Sequence, residues 1–183
     1  SVYFFWKSIN SNKKIDWILL GFFSALGFLS KYLFIYLLVS FFIYFFLNIK
    51  KFKKLIPNFI LSFLIFSVLL TPHLIWLFEN NFVTIFYGLN RSGLSDFYIA
   101  NHFINPIIFL IKQILLLVPF FIMLLAILKK LKFKFKVINK KILFLISINL
   151  IPFFLILLTS IITGAKIRTM WMTPFYLFLG TLF

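Results

Sequence analysis

Residues 16–47 read DWILLGFFSALGFLSKYLFIYLLVSFFIYFFL, and after Asp16 the only charge in the run is Lys31. Two arrangements fit: one long bent helix, or two short passes meeting at Ser30 and Lys31. Charge decides between them. Two passes put Lys13 and Lys14 on the same side as Lys50, Lys51, Lys53 and Lys54, whereas a single pass separates the clusters, against the rule that Lys and Arg collect in cytoplasmic loops. The spans Asp16–Leu29 and Tyr32–Leu47 are each about 15 residues, roughly 22 Å of helix, against a hydrocarbon core of ~30 Å. Their junction is therefore expected to lie recessed below the outer surface, or under a thinned bilayer.

Working outward, the same pattern recurs. Residues 1–6 read as the tail of an earlier helix; further passes are expected over Leu55–Trp76, Ile104–Leu128 and Ile142–Ile162, and a sixth begins at Met170. Pro57 falls in a tolerated first turn, Pro72 near an outer end, Pro106 at a helix start, and Pro119 marks a kink. Connectors at 7–14, 50–54 and 129–141 carry 14 of the 19 basic residues, all lysine, which makes them cytoplasmic. Parity then places the loop at about 77–105 outside.

Composition agrees. The chain is 63% hydrophobic and 12% charged with mean hydropathy +1.11, against about 45–50% apolar and 25% charged in soluble domains. Helix-length apolar segments exclude a β-barrel, whose strands alternate in polarity. The net charge of +16 is not a nucleic-acid footprint, because the lysines lie in connectors between apolar runs. Absence of cysteine removes disulfides and thiolate metal sites. The 30 phenylalanines reflect a compositional bias, and no aromatic stripe is read as a site. The apolar runs at Ser1 and Phe183 are expected to be cut ends, making the chain an internal piece of one longer polytopic domain.

The polar chemistry concentrates between Thr71 and Pro106, which holds Glu79 and Asp96, Arg91, and both histidines, His73 and His102. Glu79 and Asp96 are candidates for a base or a metal ligand, with plain solvation as the alternative; the histidines show no metal-ligand spacing. Residues 82–89 are apolar enough to lie flat in the interface. Lys31 has two readings, a functional intramembrane cation or a lysine that snorkels to the headgroups. Arg91 in LNRSG, and Lys166 with Arg168 in TGAKIRTMW, can likewise bind phosphate or anchor at the interface beside Trp76, Tyr98 and Trp171. As a set with Lys31 they suit a cationic cradle for a lipid phosphate. No Gly-rich phosphate loop and no Ser, His, Asp constellation is present. A transporter remains open, with Asn149 and Pro152 as the one hint of a broken helix.

The ordered motifs DWILLGFFSALGFLSKY, TPHLIWLFENNF, LNRSG, KQILLLVPFF and GAKIRTMWMTPFYLFLG, with Lys31, Trp76, Arg91, Gln113, Pro119, Trp171 and Pro174 in place, resemble a known family. It is that of the polytopic glycosyltransferases of the dolichyl-phosphate-mannose protein mannosyltransferase type, with the bacterial lipid A aminoarabinose transferases as relatives. The resemblance spans Asp16 to Gly180. It implies an all-α transmembrane bundle of the GT-C architecture, with about six passes in this chain, in a bacterial inner (plasma) membrane. It also implies transfer of a sugar, with inversion, from a polyprenyl-phosphate donor to a lipid, glycan or protein acceptor at the external face. No cofactor beyond that donor is implied. The family's catalytic aspartate lies in the first external loop, upstream of Ser1, so no residue here is assigned as the base. Donor-phosphate contacts fall on Lys31, Arg91, Arg168 and Lys166; Glu79, Asn80, Asp96 and His102 are possible loop contributors. Leu77 departs from the family pattern, where relatives often have asparagine after the tryptophan. A transporter or flippase for a lipid-linked or anionic substrate is the alternative class, and a membrane scaffold the third.

Overall fold

The computed structural model describes residues 1–93, 98–130 and 140–176, and among them regular structure is entirely helical. In chain order the helices are α1 (Val2–Ser11), α2 (Lys14–Ser30), α3 (Ile35–Leu47), α4 (Ile49–Phe52), α5 (Ile56–Glu79), α6 (Val83–Arg91), α7 (Asn101–Lys130) and α8 (Lys140–Thr163). Short 3-10 turns fill Tyr32–Phe34, Lys53–Leu55 and Thr169–Trp171. Three stretches are long and apolar enough to cross a membrane, Ile49–Glu79, Asn101–Ala126 and Lys140–Thr163, and Tyr32–Leu47 is a shorter apolar helix. Their outward side chains are apolar: Val68 on α5, Ile114 and Leu115 on α7, and Phe154 on α8 are each at least half exposed. In water such faces would drive association; in lipid they are solvated. The protein is a multi-pass integral membrane protein.

The chain divides into two compact units, residues 1–86 and 87–183. In the first, α2 lies directly against α5. Gly21 makes this possible, since a Cβ there would stand 2.4 Å from the Ser62 carbonyl oxygen and 3.1 Å from Ile65 Cβ. Small residues at crossing points let two membrane helices approach, and Ser24, Ala25 and Ser62 are buried in the same unit. An aromatic cluster fills the rest of the core: Phe45 stacks on Phe59 at 4.4 Å and on Phe52 at 5.5 Å, with Trp17 edge-on to Phe45 and Phe59. Phe5 of α1 stacks on Phe41 of α3 at 4.5 Å. These rings build the core of the first unit.

Asp16, the one acid the sequence reading left out of the site, is 1% exposed and pairs with Lys7 at 3.0 Å while accepting from the Ser11 hydroxyl. The hydrogen bond to Asp16 and its charge hold the Lys7 ammonium above its ordinary range. The pair staples the end of α1 to the first turn of α2. Residues 7–14, expected as a connector, are thus mostly helical, broken at Asn12 in the left-handed conformation with φ 53°. The basic stretch 50–54 is helical too, because lysine is a good helix former.

In the second unit α7 and α8 form an antiparallel pair. His102 meets Ile161 and, two turns on, Phe109 stacks on Phe153 at 6.0 Å, so partners run in opposite directions. Pro106 and Pro119 lie inside α7 and Pro152 inside α8, each removing one backbone hydrogen bond. α8 nevertheless runs unbroken past Asn149, which donates to the Leu145 carbonyl within its own helix. The hint of a discontinuous helix there is not met.

Candidate functional site

The break at Lys31 has a local cause. At the end of α2 the Ser30 hydroxyl donates to the Gly27 carbonyl at 2.7 Å, the acceptor that also takes the Lys31 amide. Lys31 is extended, at φ −160° and ψ 117°, and Phe34 folds back over Gly27, where a Cβ would meet its ring at 2.7 Å. The two-helix reading of residues 16–47 therefore holds. Lys31 is half-buried at the break, and no acid pairs with it among the described residues. An unpaired ammonium at such a position is available to an anion.

Beside it stands a polar cluster that the sequence reading missed. The Tyr32 hydroxyl lies 2.8 Å from His73 Nε2 and 2.9 Å from Thr84 Oγ1, and His73 stacks on Trp76 at 5.9 Å. When the His73 proton sits on Nδ1 the hydroxyl donates to Nε2 and accepts from Thr84, and when it sits on Nε2 both roles reverse, so the cluster is satisfied with either tautomer. Tyr32 therefore ties α5 and the start of α6 to the turn that carries Lys31. Tyr32→Phe leaves two polar partners unmet. It is expected to cost about 1–3 kcal/mol, read as a lower unfolding midpoint of the detergent-purified protein.

Two of the sequence-derived loop contributors, Glu79 and Asn80, stand at the end of α5. Glu79 is exposed at the last residue of α5. Asn80 caps that helix, its amide nitrogen Nδ2 donating to the Trp76 carbonyl at 2.8 Å. Asn81 and Phe82 follow at φ 50° and 54°, the reversal that starts α6. Much of the interval 77–105 is thus helical, with α6 inside it and α7 beginning at Asn101; Asp96 lies outside the described residues.

In the second unit Arg91 ends α6, its Nη1 donating to the Tyr87 hydroxyl at 3.2 Å with the guanidinium over that ring. The adjacent Ser92 carbonyl accepts from the Lys166 amide at 2.9 Å, so the chain near Arg91 and the segment after α8 are joined. That segment is held from several sides. Asn105 Nδ2 donates to the Gly164 carbonyl at 2.7 Å, and the Ser160 hydroxyl to the Ala165 carbonyl at 2.8 Å. His102 Nδ1 donates to the Ile161 carbonyl at 2.8 Å, which fixes its tautomer and makes it a brace of α8 where the sequence suggested a loop contributor. Ala165 and Ile167 are buried while Lys166 and Arg168 are exposed, a two-residue alternation that matches an extended segment, and Arg168 itself is extended. Both cations therefore face one way.

Gly164 turns the chain at φ +68°, and a Cβ there would meet the His102 ring at 3.2 Å. Gly164→Ala is expected to cost about 1–2 kcal/mol from the left-handed backbone alone, with a further loss from the ring. Gly93→Ala shares the positive φ but opens on empty space, so it should cost less in the same thermal unfolding measurement.

Among the described residues no three His, Cys, Asp or Glu side chains come together as a metal site. No curated protein and no solved structure matches the chain. Residues 1–76, from α1 to Trp76 and including Lys31, Tyr32 and His73, match the family of dolichyl-phosphate-mannose-protein mannosyltransferases, the one its motifs resemble, and the match supports a membrane glycosyltransferase of the GT-C kind.

Proposed function

We propose that the protein transfers a sugar from a polyprenyl-phosphate donor to a lipid, glycan or protein acceptor at the external face of a bacterial inner membrane, within a GT-C bundle that has about six passes in this chain. The observation that carries the reading is Lys31, an unpaired cation at a helix break inside the matched segment. The leaving group of such a reaction is a lipid phosphate. A cation on its oxygens stabilises the charge that grows as the glycosidic bond breaks. In the first unit the proposed phosphate contact is Lys31; in the second they are Arg91, Lys166 and Arg168. The general base is proposed to be an acid supplied by the first external loop of the family, and none of Glu79, Asp96 or Asp16 is assigned that role. Helix α6, whose Val83, Ile85, Phe86, Tyr87 and Leu89 are all exposed, is proposed to lie in the outer interface.

The test uses the full-length protein in membrane vesicles with a radiolabelled sugar on polyprenyl phosphate. Lys31→Ala and Arg91→Ala should abolish transfer while the protein stays in the membrane, and Lys53→Ala, in a basic connector, should not. Equal transfer by all four proteins would sink the assignment of these cations.

A further inference from the structure

We propose that Asn105 is a positioning residue for phosphate binding: by holding the Gly164 carbonyl at the turn it keeps residues 165–168 as a preset segment that presents Lys166 and Arg168 together to one anion. The proposal rests on the reading that these two cations bind the donor phosphate, and adds the device that makes them effective.

The geometry is that of a strap tied along its length. At the turn, Gly164 is held by Asn105 from the first turns of α7 at φ +68°, and a Cβ added there would meet the ring of His102. One residue on, the Ala165 carbonyl accepts from the fully buried Ser160, and the Ala165 amide donates to the Thr163 hydroxyl at 3.2 Å. Next, the Lys166 amide donates to Ser92. Ala165 and Ile167 anchor the strand as side chains 5% and 9% exposed. The strand ends at Arg168, which is still extended at φ −80° and ψ 136°, before the turn at Thr169–Trp171.

Residues two apart on an extended strand lie about 6–7 Å apart on one face. That spacing lets an ammonium and a guanidinium converge on one phosphate group, the guanidinium with two parallel hydrogen bonds. A free loop bearing the same cations would lose backbone freedom on binding. The strap has already lost it, which is the general advantage of preorganisation. Asn105 carries no charge and reaches the strand through a carbonyl, so its effect on an anion can only be indirect.

The experiment measures equilibrium binding of a short-chain polyprenyl phosphate to the detergent-purified full-length protein, with the matching polyprenol as a probe of tail binding alone. Lys166→Ala with Arg168→Ala should weaken phosphate binding by about thirtyfold or more, as loss of two charge-assisted contacts. Asn105→Leu should weaken it about tenfold and leave polyprenol binding unchanged. Added to the double alanine protein, Asn105→Leu should weaken it no further, since the strand then has no cations to place. Ser160→Ala, which releases the same strand at the next carbonyl, should act in the same direction and decides the matter if the Asn105 variant does not accumulate. If the double alanine change weakens binding but neither Asn105→Leu nor Ser160→Ala does, the strap has no role in binding and the proposal falls alone. An equal loss of polyprenol binding in the Asn105 variant would also overturn it. If the double alanine change leaves phosphate binding intact, the phosphate reading itself is wrong.

Discussion

Gly21→Ala is expected to remove most of the folded protein from the membrane. The added methyl would sit 2.4 Å from the Ser62 carbonyl oxygen, which is backbone and cannot swing aside, and 3.1 Å from Ile65 Cβ. α2 and α5 must then separate, and the loss runs along the whole contact from Leu20 and Ser24 to Phe59 and Ser62, where the two helices and α3 enclose an apolar crevice. Overpacking of this kind costs about 3 kcal/mol, and it strikes where van der Waals packing takes the place of the hydrophobic drive that water would supply. Gly88→Ala is the matched control. Gly88 lies in α6 with nothing within 4 Å of its added carbon, so alanine there should be neutral or should gain helix propensity of about 1 kcal/mol. The measurement is the amount of monodisperse protein extracted in mild detergent and its unfolding midpoint. Equal yields for the two variants would mean that α2 and α5 do not pack as described.

Lys31→Ala is expected to give a large functional loss from a single side chain, about 100-fold or more in the rate of sugar transfer, the scale seen when one preorganised donor to developing charge is removed. The loss should fall mainly on kcat, because charge on the phosphate grows in the transition state and is smaller in the bound donor. Lys31→Arg keeps the charge but replaces a compact ammonium by a planar fork, and should recover part of the rate. Stability should barely change, because Lys31 pairs with no acid among the described residues and its amide already closes α2. A variant that loses rate and folding together would mean that Lys31 serves the break itself and not the donor.

Much of the architecture was legible because lipid imposes strict rules. The expected passes over Ile104–Leu128 and Ile142–Ile162 fall within α7 and α8, and that over Leu55–Trp76 matches α5 to within one residue at its start and three at its end. Lys31 marked a true break, since a lone cation in an apolar run and a Gly-x-x-Ser end to α2 point the same way. Pro57 sits in the first turn of α5 as its chemistry requires. The connectors were harder. Lysine-rich stretches were taken for loops by their charge, yet lysine favours helix, and residues 49–55 are helical.

The proposed cations stand out in the sequence, whereas the contacts that hold the chain around them do not. Tyr32, His73 and Thr84 are 41 and 52 residues apart, and nothing local announces that one hydroxyl joins them. The contacts of His102 and Asn80 depend on where helices end, which sequence alone does not fix. Once α5 is seen to end at Glu79 and α8 at Thr163, both become braces of helix ends. One signal was available: Asn105 stands next to Pro106, in the first turns of α7, and a polar side chain at such a place must find a partner nearby.

The most direct test of the account is the fate of the glycosidic bond. Full-length protein in vesicles, given polyprenyl phosphate carrying a doubly labelled sugar and lipid, should separate the two labels: the sugar passes to an acceptor and free polyprenyl phosphate accumulates at the same rate. Movement of both labels together across the bilayer, with no polyprenyl phosphate released, would contradict a transferase and make Lys31 part of a transport path.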